Sequence, residues 1–333
     1  MNSTLKVTDE WRTWIAQRLL VAQTEEQIVP SIVSAGYSAL EAKDLVKSVV
    51  EDPVYRAADA SARQLRKLQS LFRIKEEVAR TSSRARIVDR RTDLSLEQFR
   101  DSYFSANKPV ILEGMVTRWP AWEKWCPRLL RDQYGDATVE IMTGRDRDRK
   151  YEIHSESHKS HVPMREYVDA VVSTESSNDS YLVANNHFLD SPAGLPLKLD
   201  LQPMPPYLTS EIGPAQAFFW FGPAGTVTPM HHDSMNVLLA QIRGRKRVLL
   251  ISPEQTPWMY NDISVYSQVD PDAFNPDEHP AFTHVRVTEI TLDPGEALFL
   301  PVGWWHHVTA IDLSISVSFT NFAFPNAYVW ENP

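Results

Sequence analysis

Three side chains of this sequence have the types and the spacing of a metal site. His231 and Asp233 lie two positions apart, and His306 follows Asp233 by 73 positions. Residues two apart on a β-strand point to the same face, so His231 and Asp233 can bind one ion together. Two imidazoles and one carboxylate that leave other coordination positions open are typical of non-haem Fe(II) oxygenases. The spacing therefore predicts a metal enzyme that activates O2.

A histidine–x–aspartate triplet also has simpler explanations. The aspartate can cap a turn at a strand edge, and a histidine can be a core residue. The sequence around the triplet favours the metal, because β-rich runs precede and follow it. His306 in turn lies in the aromatic run PVGWWHHV, at the start of another predicted strand.

Two further polar residues occupy positions where a ligand could meet them. Residues 313–321 alternate between apolar and small polar side chains, and Asn321 continues the apolar set, which we expect to face inward. Its amide would bind a ligand there, or would turn the strand at its end. Lys246 begins an apolar strand after Gly244. It is either a solvated hairpin charge or an inward ammonium that pairs with a dicarboxylate.

The elements that must position these residues are strands. From residue 215 onward, short apolar runs alternate with Gly, Pro, Asn and Asp, which predicts a β-sandwich or barrel. Residues 109–112, 138–142 and 285–292 are further predicted strands. Residues 119–125 are predicted as an aromatic turn and helix.

The N-terminal part has a different pattern. Residues 1–82 are predicted as helices, with capping boxes at Thr24 and Ser38 and a helix end at Asp52. Residues 83–94 are polar and basic and are predicted as a linker. Residues 95–333 form the remaining domain. The helical module could hold a partner or form a homodimer.

Composition restricts the partners. The chain has 333 residues, of which 43% are hydrophobic, and a formal net charge of −9, which disfavours nucleic acid as the main partner. One cysteine excludes an intrachain disulfide and suits a reducing compartment, so we expect a cytoplasmic protein. The sequence shows neither a signal peptide nor an apolar run long enough to span a membrane.

Three runs carry a resemblance to a known family: KPVILEGMVTRWPAWEKW at 108–125, TPMHHDSMNVLLAQIRGRKRVLLISP at 228–253 and PGEALFLPVGWWHHV at 294–308. In this order they resemble the cupin-like JmjC family of Fe(II)- and 2-oxoglutarate-dependent oxygenases. They look most like its hydroxylase branch, typified by the asparaginyl hydroxylase called factor inhibiting hypoxia-inducible factor. The resemblance covers about residues 95–325. It implies a double-stranded β-helix, or jelly-roll, core with flanking helices.

The resemblance also implies roles for individual residues. The iron ligands would be His231, Asp233 and His306. The contacts to 2-oxoglutarate would be Lys246, Thr228, Tyr181 and Asn321. Two positions depart from the family pattern. Val237 stands where many relatives have an asparagine, with Asn236 one position earlier, and Val183 replaces a polar substrate contact of the asparaginyl enzyme.

The function that follows is hydroxylation of a side chain of a protein or peptide, with release of succinate and CO2. The insertions 144–160 and 187–206 could form the substrate groove, with Asn185, Asn186 and His187 near its mouth. A free amino acid or another small molecule remains open as substrate, and demethylation is a variant outcome of the same oxidation. A metal-binding cupin without oxygenase activity, such as an isomerase or a sensor, is the alternative from another class.

Other residues of chemical interest have simpler interpretations. Four aromatic residues could wall the pocket or belong to the core: Phe299, Trp220, Trp304 and Trp305. His154, His158 and His161 have a spacing that could suggest a second metal, but their charged surroundings favour solvated loop histidines.

Overall fold

The structure is a computed structural model that describes residues 8–82, 87–183 and 186–331. The chain forms two compact units, Met1–Thr81 and Ser82–Pro333. The predicted linker differs from the structure. Residues 83–86 lie outside the described residues, while Asp89–Arg91 forms a strand that pairs in parallel with Val110–Leu112. Asp89–Arg91 is therefore part of the second unit.

Four helices make up the first unit: α1 (Asp9–Leu20), α2 (Glu25–Ser34), α3 (Ala39–Glu51) and α4 (Pro53–Arg80). The predicted capping boxes at Thr24 and Ser38 are confirmed, and Asp52 caps α4, whose first residue is Pro53. Apolar residues at helical spacing on α1, α2 and α3 form one core, which includes Ile15, Ile32 and Val46. The predicted helical module is thus present.

The second unit is built on strands, with short helices around them. Its helices are α5 (Leu96–Phe99), α6 (Pro120–Lys124), α7 (Pro127–Gln133), α8 (Ser155–His158), α9 (Met164–Ser173) and α10 (Leu195–Leu199). Its strands are β1 (Asp89–Arg91), β2 (Val110–Leu112), β3 (Thr138–Met142), β4 (Lys159–Pro163), β5 (Ala217–Gly222), β6 (Val227–His232), β7 (Val237–Arg243), β8 (Lys246–Ile251), β9 (Thr288–Leu292), β10 (Ala297–Leu300), β11 (Trp305–Ala310) and β12 (Ser314–Phe319).

Two sheets form the core of this unit. The large sheet has the order β1-β2-β10-β7-β12-β5, and the small sheet has the order β6-β11-β8-β9. Neighbours pair antiparallel except β1 with β2. Consecutive strands alternate between the two sheets from β5 to β8 and again from β9 to β12, as in a jelly roll, while β8 and β9 are neighbours in the small sheet. The predicted fold class, a mainly β core with flanking helices and an N-terminal helical module, is confirmed, and the two sheets remain separate.

The two faces of the large sheet bury different partners. One face packs against the flanking helices in the largest core cluster, which contains Ile315, Val317 and Phe319 of β12. The other face meets the small sheet, where Leu239 and Leu298 pack with residues such as Leu250. Both faces of the large sheet are therefore covered, and its strands contain long apolar runs.

The long segment between β8 and β9, residues 252–287, covers the outer face of the small sheet. Its Met259, Val269 and Phe282 pack on Ile251 and Trp305. The predicted irregular region 144–160 is partly regular, because β4 begins at Lys159 and pairs with β3. Among the described residues no helix has the length and apolar content to cross a membrane.

Candidate active site

A cavity of about 290 Å³ opens between the two sheets. The large sheet contributes lining residues such as Trp220, Leu239 and Ser318. His231, Lys246 and His306 of the small sheet line the same space. The cavity therefore holds both the predicted metal ligands and a cation.

His231, Asp233 and His306 come together at this cavity. The two histidines are direct partners across the β6–β11 ladder, with ring centroids 4.1 Å apart. Asp233 follows the last residue of β6, and its Oδ2 lies 3.7 Å from Nε2 of His306. One ligand atom from each residue lies within 4.8 Å of the other two. Adjacent antiparallel strands thus produce the triad that the sequence spacing predicts.

Backbone carbonyls hold both imidazoles of this triad. Nδ1 of His231 donates to the carbonyl of Pro229 at 2.8 Å, and Nδ1 of His306 donates to the carbonyl of Trp304 at 3.0 Å. A neutral imidazole that donates from Nδ1 presents a lone pair at Nε2. Such outer hydrogen bonds are the usual support of metal-binding histidines. Burial, together with the neighbouring His231, lowers the pKa of His306 to about 4, which favours the neutral, metal-binding form.

Lys246 is a buried cation that lacks an ionic partner. Its side chain is 2% exposed, and Nζ donates to Oγ of Ser316 at 2.6 Å and to the phenol oxygen of Tyr181 at 3.4 Å. None of the described carboxylates forms an ion pair with it. Burial alone lowers the pKa of Lys246 to about 7. An ammonium in such a place is stabilised by an anion that enters the cavity.

Two other predicted contacts lie near this ammonium. Thr228 lines the cavity from β6, opposite Val308 of β11. Tyr181 is buried beside Gly222 and reaches the cavity through its hydrogen bond with Lys246. Burial raises the pKa of Tyr181, so its phenol stays protonated and can donate to an oxyanion. The structure thus brings Thr228 and Tyr181 to the site with Lys246.

Asn321 is placed differently from the sequence prediction. Its Nδ2 donates to the carbonyl of Thr209 at 3.0 Å and to Oγ1 of the same residue at 3.1 Å, and it is absent from the cavity lining. The apolar face of β12 meets the helices, whereas Ser318 and Thr320 line the cavity. The sequence prediction therefore assigned the ligand-facing side of β12 to the wrong set of side chains.

The other departures from the family pattern also have structural explanations. Asn236 does not face the cavity: its amide group binds Asn326 and the phenol of Tyr328. Val237, one residue later, is on the cavity side. Val183 also lines the cavity, so an apolar contact replaces the polar one here.

Of the four candidate aromatic residues, Trp220 lines the cavity. Phe299 belongs to the core between the large sheet and the helices. Trp305 packs on the outer side of the small sheet, and Trp304 donates to the carbonyl of Asn107 at 2.9 Å. Three of the four thus have structural roles, as expected for most apolar aromatics in a core.

Two residues that line the cavity have no signal in the sequence. Glu152 enters from the region between β3 and β4 and forms an ion pair with the buried Arg145 at 3.1 Å. Tyr266 enters from the segment 252–287, and its ring centroid lies 5.8 Å from that of His231. Both come from irregular segments, where no periodicity shows which side chains point inward.

The second predicted groove segment, 187–206, contributes no residue to the lining of this cavity. Asn185 lies outside the described residues. Asn186 is structural, because its Nδ2 donates to the carbonyl of Phe219 at 2.7 Å and its Oδ1 accepts from the backbone of Phe188. His187 is exposed and has a left-handed backbone.

The histidines of the region before β4 are not free loop residues. His154 and His158 both bond to Oδ2 of Asp148, at 2.6 and 3.2 Å. The hydrogen bond from His154 is the first cause that lowers the pKa of Asp148 to about 2. His161 lies on β4, near Glu140. This cluster is satisfied by its own hydrogen bonds.

Comparison with known proteins gives a consistent match over the second unit. The family model described as a cupin-like domain matches residues 96–322. The chain is 36% identical over 232 residues to lysine-specific demethylase 8 of Xenopus tropicalis, which covers 68% of this chain and 50% of the relative. It is 32% identical over 238 residues to Jumonji C domain-containing protein 5 of Drosophila melanogaster, which covers 68% of this chain and 57% of the relative.

A plant relative extends this pattern: lysine-specific demethylase JMJ30 of Arabidopsis thaliana is 32% identical over 243 residues, covering 70% of this chain and 54% of the relative. The chain spans about half the length of the curated relatives it matches. The resemblance to a JmjC domain is thus supported, while the names of these relatives do not single out the hydroxylase branch.

Proposed function

This chain belongs to the cupin-like domain family, and on that premise we propose that it is an Fe(II)- and 2-oxoglutarate-dependent oxygenase that hydroxylates a side chain of a protein or peptide. One observation carries the proposal. A three-ligand metal site and a buried ammonium without an ionic partner line the same cavity. A metal-binding isomerase or sensor needs the metal site but does not require the buried ammonium of Lys246.

The residues present fit the cofactors Fe(II), 2-oxoglutarate and O2. His231, Asp233 and His306 would hold the metal through two imidazole nitrogens and one carboxylate oxygen, which leaves positions open for other ligands. Lys246 would pair with the carboxylate of 2-oxoglutarate farther from the metal, and Tyr181 and Thr228 have hydroxyl groups to share it. A bound dicarboxylate would also remove the cost of the unpaired ammonium.

The chemistry that iron supplies in such a site is oxidation of a substrate C–H bond, as O2 is consumed and 2-oxoglutarate becomes succinate and CO2. The residues of this chain orient the metal ligands, bind the cosubstrate and shield the cavity from water. The two backbone carbonyls fix the imidazoles, Lys246 sets the direction of the cosubstrate, and Trp220, Leu239 and Val308 exclude water from the cavity.

Glu152 and Tyr266 favour a polar or cationic side chain as substrate. Both line the cavity that contains the triad, and Glu152 presents a carboxylate there whose Oε1 accepts from Arg145 at 3.1 Å. The relatives named lysine-specific demethylases point to the same class of side chain. Oxidation of an N-methyl carbon gives demethylation, while oxidation of a chain carbon leaves a stable hydroxyl group. Demethylation is therefore the second candidate outcome of the proposed reaction.

An anaerobic titration with Fe(II) tests the cofactor assignment. Visible absorption is followed with and without 2-oxoglutarate, on the parent, on Lys246→Met and on the control Arg245→Met. Arg245 is the neighbouring cation, half exposed and paired with Asp312 on the surface. We expect a charge-transfer band that needs metal and cosubstrate together and that weakens in Lys246→Met only. Metal binding without such a band would favour the non-oxygenase cupin.

Mass spectrometry of peptides then separates the two outcomes. Lysine and N-methyl-lysine peptides are incubated with the enzyme, Fe(II) and 2-oxoglutarate, and a Glu152→Gln variant serves for comparison. A gain of one oxygen atom identifies hydroxylation, whereas loss of a methyl group with release of formaldehyde identifies demethylation. Turnover of free amino acids in preference to every peptide would contradict a protein substrate.

A further inference from the structure

We infer that the chain has a second divalent-metal site, formed by Asp270, Asp272 and His307 on the outer face of the small sheet. A carboxylate oxygen from each aspartate and one imidazole nitrogen of His307 all lie within 4.8 Å of one another. The cluster is separate from the cavity, because neighbouring residues of a strand point to opposite faces. His306 faces the cavity, and His307 faces away from it.

His307 is the feature that distinguishes this cluster from a group of surface carboxylates. Its side chain is 4% exposed, and its Nδ1 has no hydrogen-bond partner among the described residues. Buried imidazoles ordinarily satisfy their nitrogens, since an unpaired buried polar atom costs roughly 1–3 kcal/mol. Thr309, on the same face of β11, has a buried hydroxyl oxygen that is also unpaired. An ion at this place would satisfy the imidazole.

The charges around the cluster match a divalent cation. Arg247 donates to both oxygens of Asp272 at 2.8 Å and to Glu289 at 2.8 Å. The single guanidinium of Arg247 therefore neutralises one of the three negative charges of Asp270, Asp272 and Glu289. Two negative charges remain when the imidazole of His307 is neutral. Arg247 also orients the carboxylate of Asp272. This carboxylate can bind a metal at the same time, because it has enough lone pairs for a guanidinium and a metal together.

The donor set indicates the kind of metal. One imidazole and two carboxylates suit a borderline first-row ion such as Zn²⁺, since Ca²⁺ and Mg²⁺ prefer oxygen ligands. Asp270 is pre-positioned for this role: its Oδ1 accepts the backbone N–H of Asp272 at 3.0 Å, and its Oδ2 is left without a hydrogen bond from the described residues. We take Zn²⁺ as the probe.

A metal at this place would join two elements that both contribute to the cavity. Asp270 and Asp272 belong to the segment 252–287, whereas His307 belongs to β11. Val265 and Tyr266 of that segment line the cavity. The ion would therefore fasten the segment to the small sheet close to the cavity wall. Its site does not depend on the proposed oxygenase activity.

The test counts bound zinc in a protein whose first site has been disabled. Asp233→Ala is the background, and the metal-free protein is dialysed against buffered Zn²⁺ and measured by elemental analysis. Asp270→Asn removes one ligand but keeps the Oδ1 that accepts the backbone N–H of Asp272. The matched control is Asp277→Asn, the same change in the same segment but outside the cluster.

We expect the background and the Asp277→Asn control to retain one equivalent of zinc that Asp270→Asn loses, with affinity reduced at least about tenfold. Zinc should also slow amide exchange across 263–272 in the first two proteins only. Equal zinc retention in Asp270→Asn overturns the inference and would place the ion elsewhere, for example at His154 and His158. Absence of zinc from the background overturns it as well. If Asp270→Asn fails to fold, Asp272→Asn takes its place.

Discussion

Lys246 shows how one residue links fold, stability and function. It is the first residue of β8, so the ladder directs its side chain into the cavity together with that of Ser316. In the absence of an anion, burial disfavours the ammonium, and its pKa falls to about 7. The same burial strengthens attraction to a dicarboxylate, because the surrounding dielectric is low. Lys246 can therefore destabilise the ligand-free protein and still stabilise its complex with a dicarboxylate.

The lowered pKa of Lys246 predicts a pH dependence of stability. Between pH 7 and about 10 the unfolded chain carries a proton on this lysine that the folded protein lacks. The free energy of unfolding should therefore rise with pH in this window, by up to about 1.4 kcal/mol per pH unit. Denaturant unfolding of the ligand-free parent and of Lys246→Met measures this as a difference in slope. Parallel pH profiles for the two proteins would contradict it.

At the scale of elements, β12 shows what a sequence can and cannot specify. The alternation over 313–321 correctly predicts a strand, Ser314–Phe319, and it correctly separates its two sets of side chains. It does not reveal which set faces the ligand, because both faces of the large sheet are covered. The apolar set meets the helices, and the polar set meets the cavity through Ser318 and Thr320. An apolar set of side chains therefore identifies the buried face of a strand only in a sheet whose other face is exposed to water.

Other parts of the fold and site could be predicted because their signals are local. Capping boxes at Thr24 and Ser38 specify helix starts within four residues of sequence. His231 and Asp233 needed only the two-residue period of a strand. Tyr266 and Glu152 could not be found, because their positions depend on how irregular segments fold back onto the sheets. The pairing of Asn321 with Thr209 likewise depends on long-range contacts.

The assignment of faces on β12 predicts different effects for Ser316, within the strand, and Asn321, just after its end. Ser316→Ala removes a hydrogen bond to the ammonium of Lys246, which should weaken 2-oxoglutarate binding roughly tenfold. Asn321→Ala should lower the free energy of unfolding by about 1–2 kcal/mol but change the affinity less than about twofold. Calorimetric binding and denaturant unfolding measure both quantities. A large loss of affinity in Asn321→Ala would restore the original sequence prediction.

A glycine of β5 predicts a steric effect on the same subsite. A Cβ atom at Gly222 would lie 2.7 Å from Cδ2 of Tyr181, so the ring must move. Gly222→Ala should therefore weaken cosubstrate binding and destabilise the fold by about 1–3 kcal/mol. The control is Gly213→Ala, whose Cβ meets only the end of the Gln216 side chain, at 2.9 Å. Equal behaviour of the two variants in binding and unfolding would contradict a role for the Tyr181 position.

At the scale of the whole molecule, the two units have separate kinds of core. The first is held by apolar faces of helices, and the second by two sheets and the helices on the large one. The family match at 96–322 lies entirely within the second unit. The proposed chemistry therefore belongs to the second unit, and the function of the helical unit must be argued from its own surface.

That surface predicts self-association through α4. Six apolar residues fall on one half of its circumference and remain exposed: Leu65, Leu68, Leu71, Phe72, Ile74 and Val78. Their spacing of three and four residues is that of a helix–helix seam. A continuous apolar patch of this kind usually marks an interaction surface. We expect a second copy of α4 to cover it, which gives a homodimer.

Light scattering coupled to gel filtration tests this expectation over a range of concentrations. The parent should elute as a dimer that dissociates on dilution, and Leu68→Glu should be monomeric, because a buried charge opposite an apolar surface is costly. Leu40→Glu serves as the control, since Leu40 is 71% exposed on α3 and lies outside the α4 patch. Fe(II) and 2-oxoglutarate binding should be equal in all three proteins, as the site lies wholly within the second unit. A parent that is monomeric at every concentration would contradict the dimer and leave the α4 patch to a different protein.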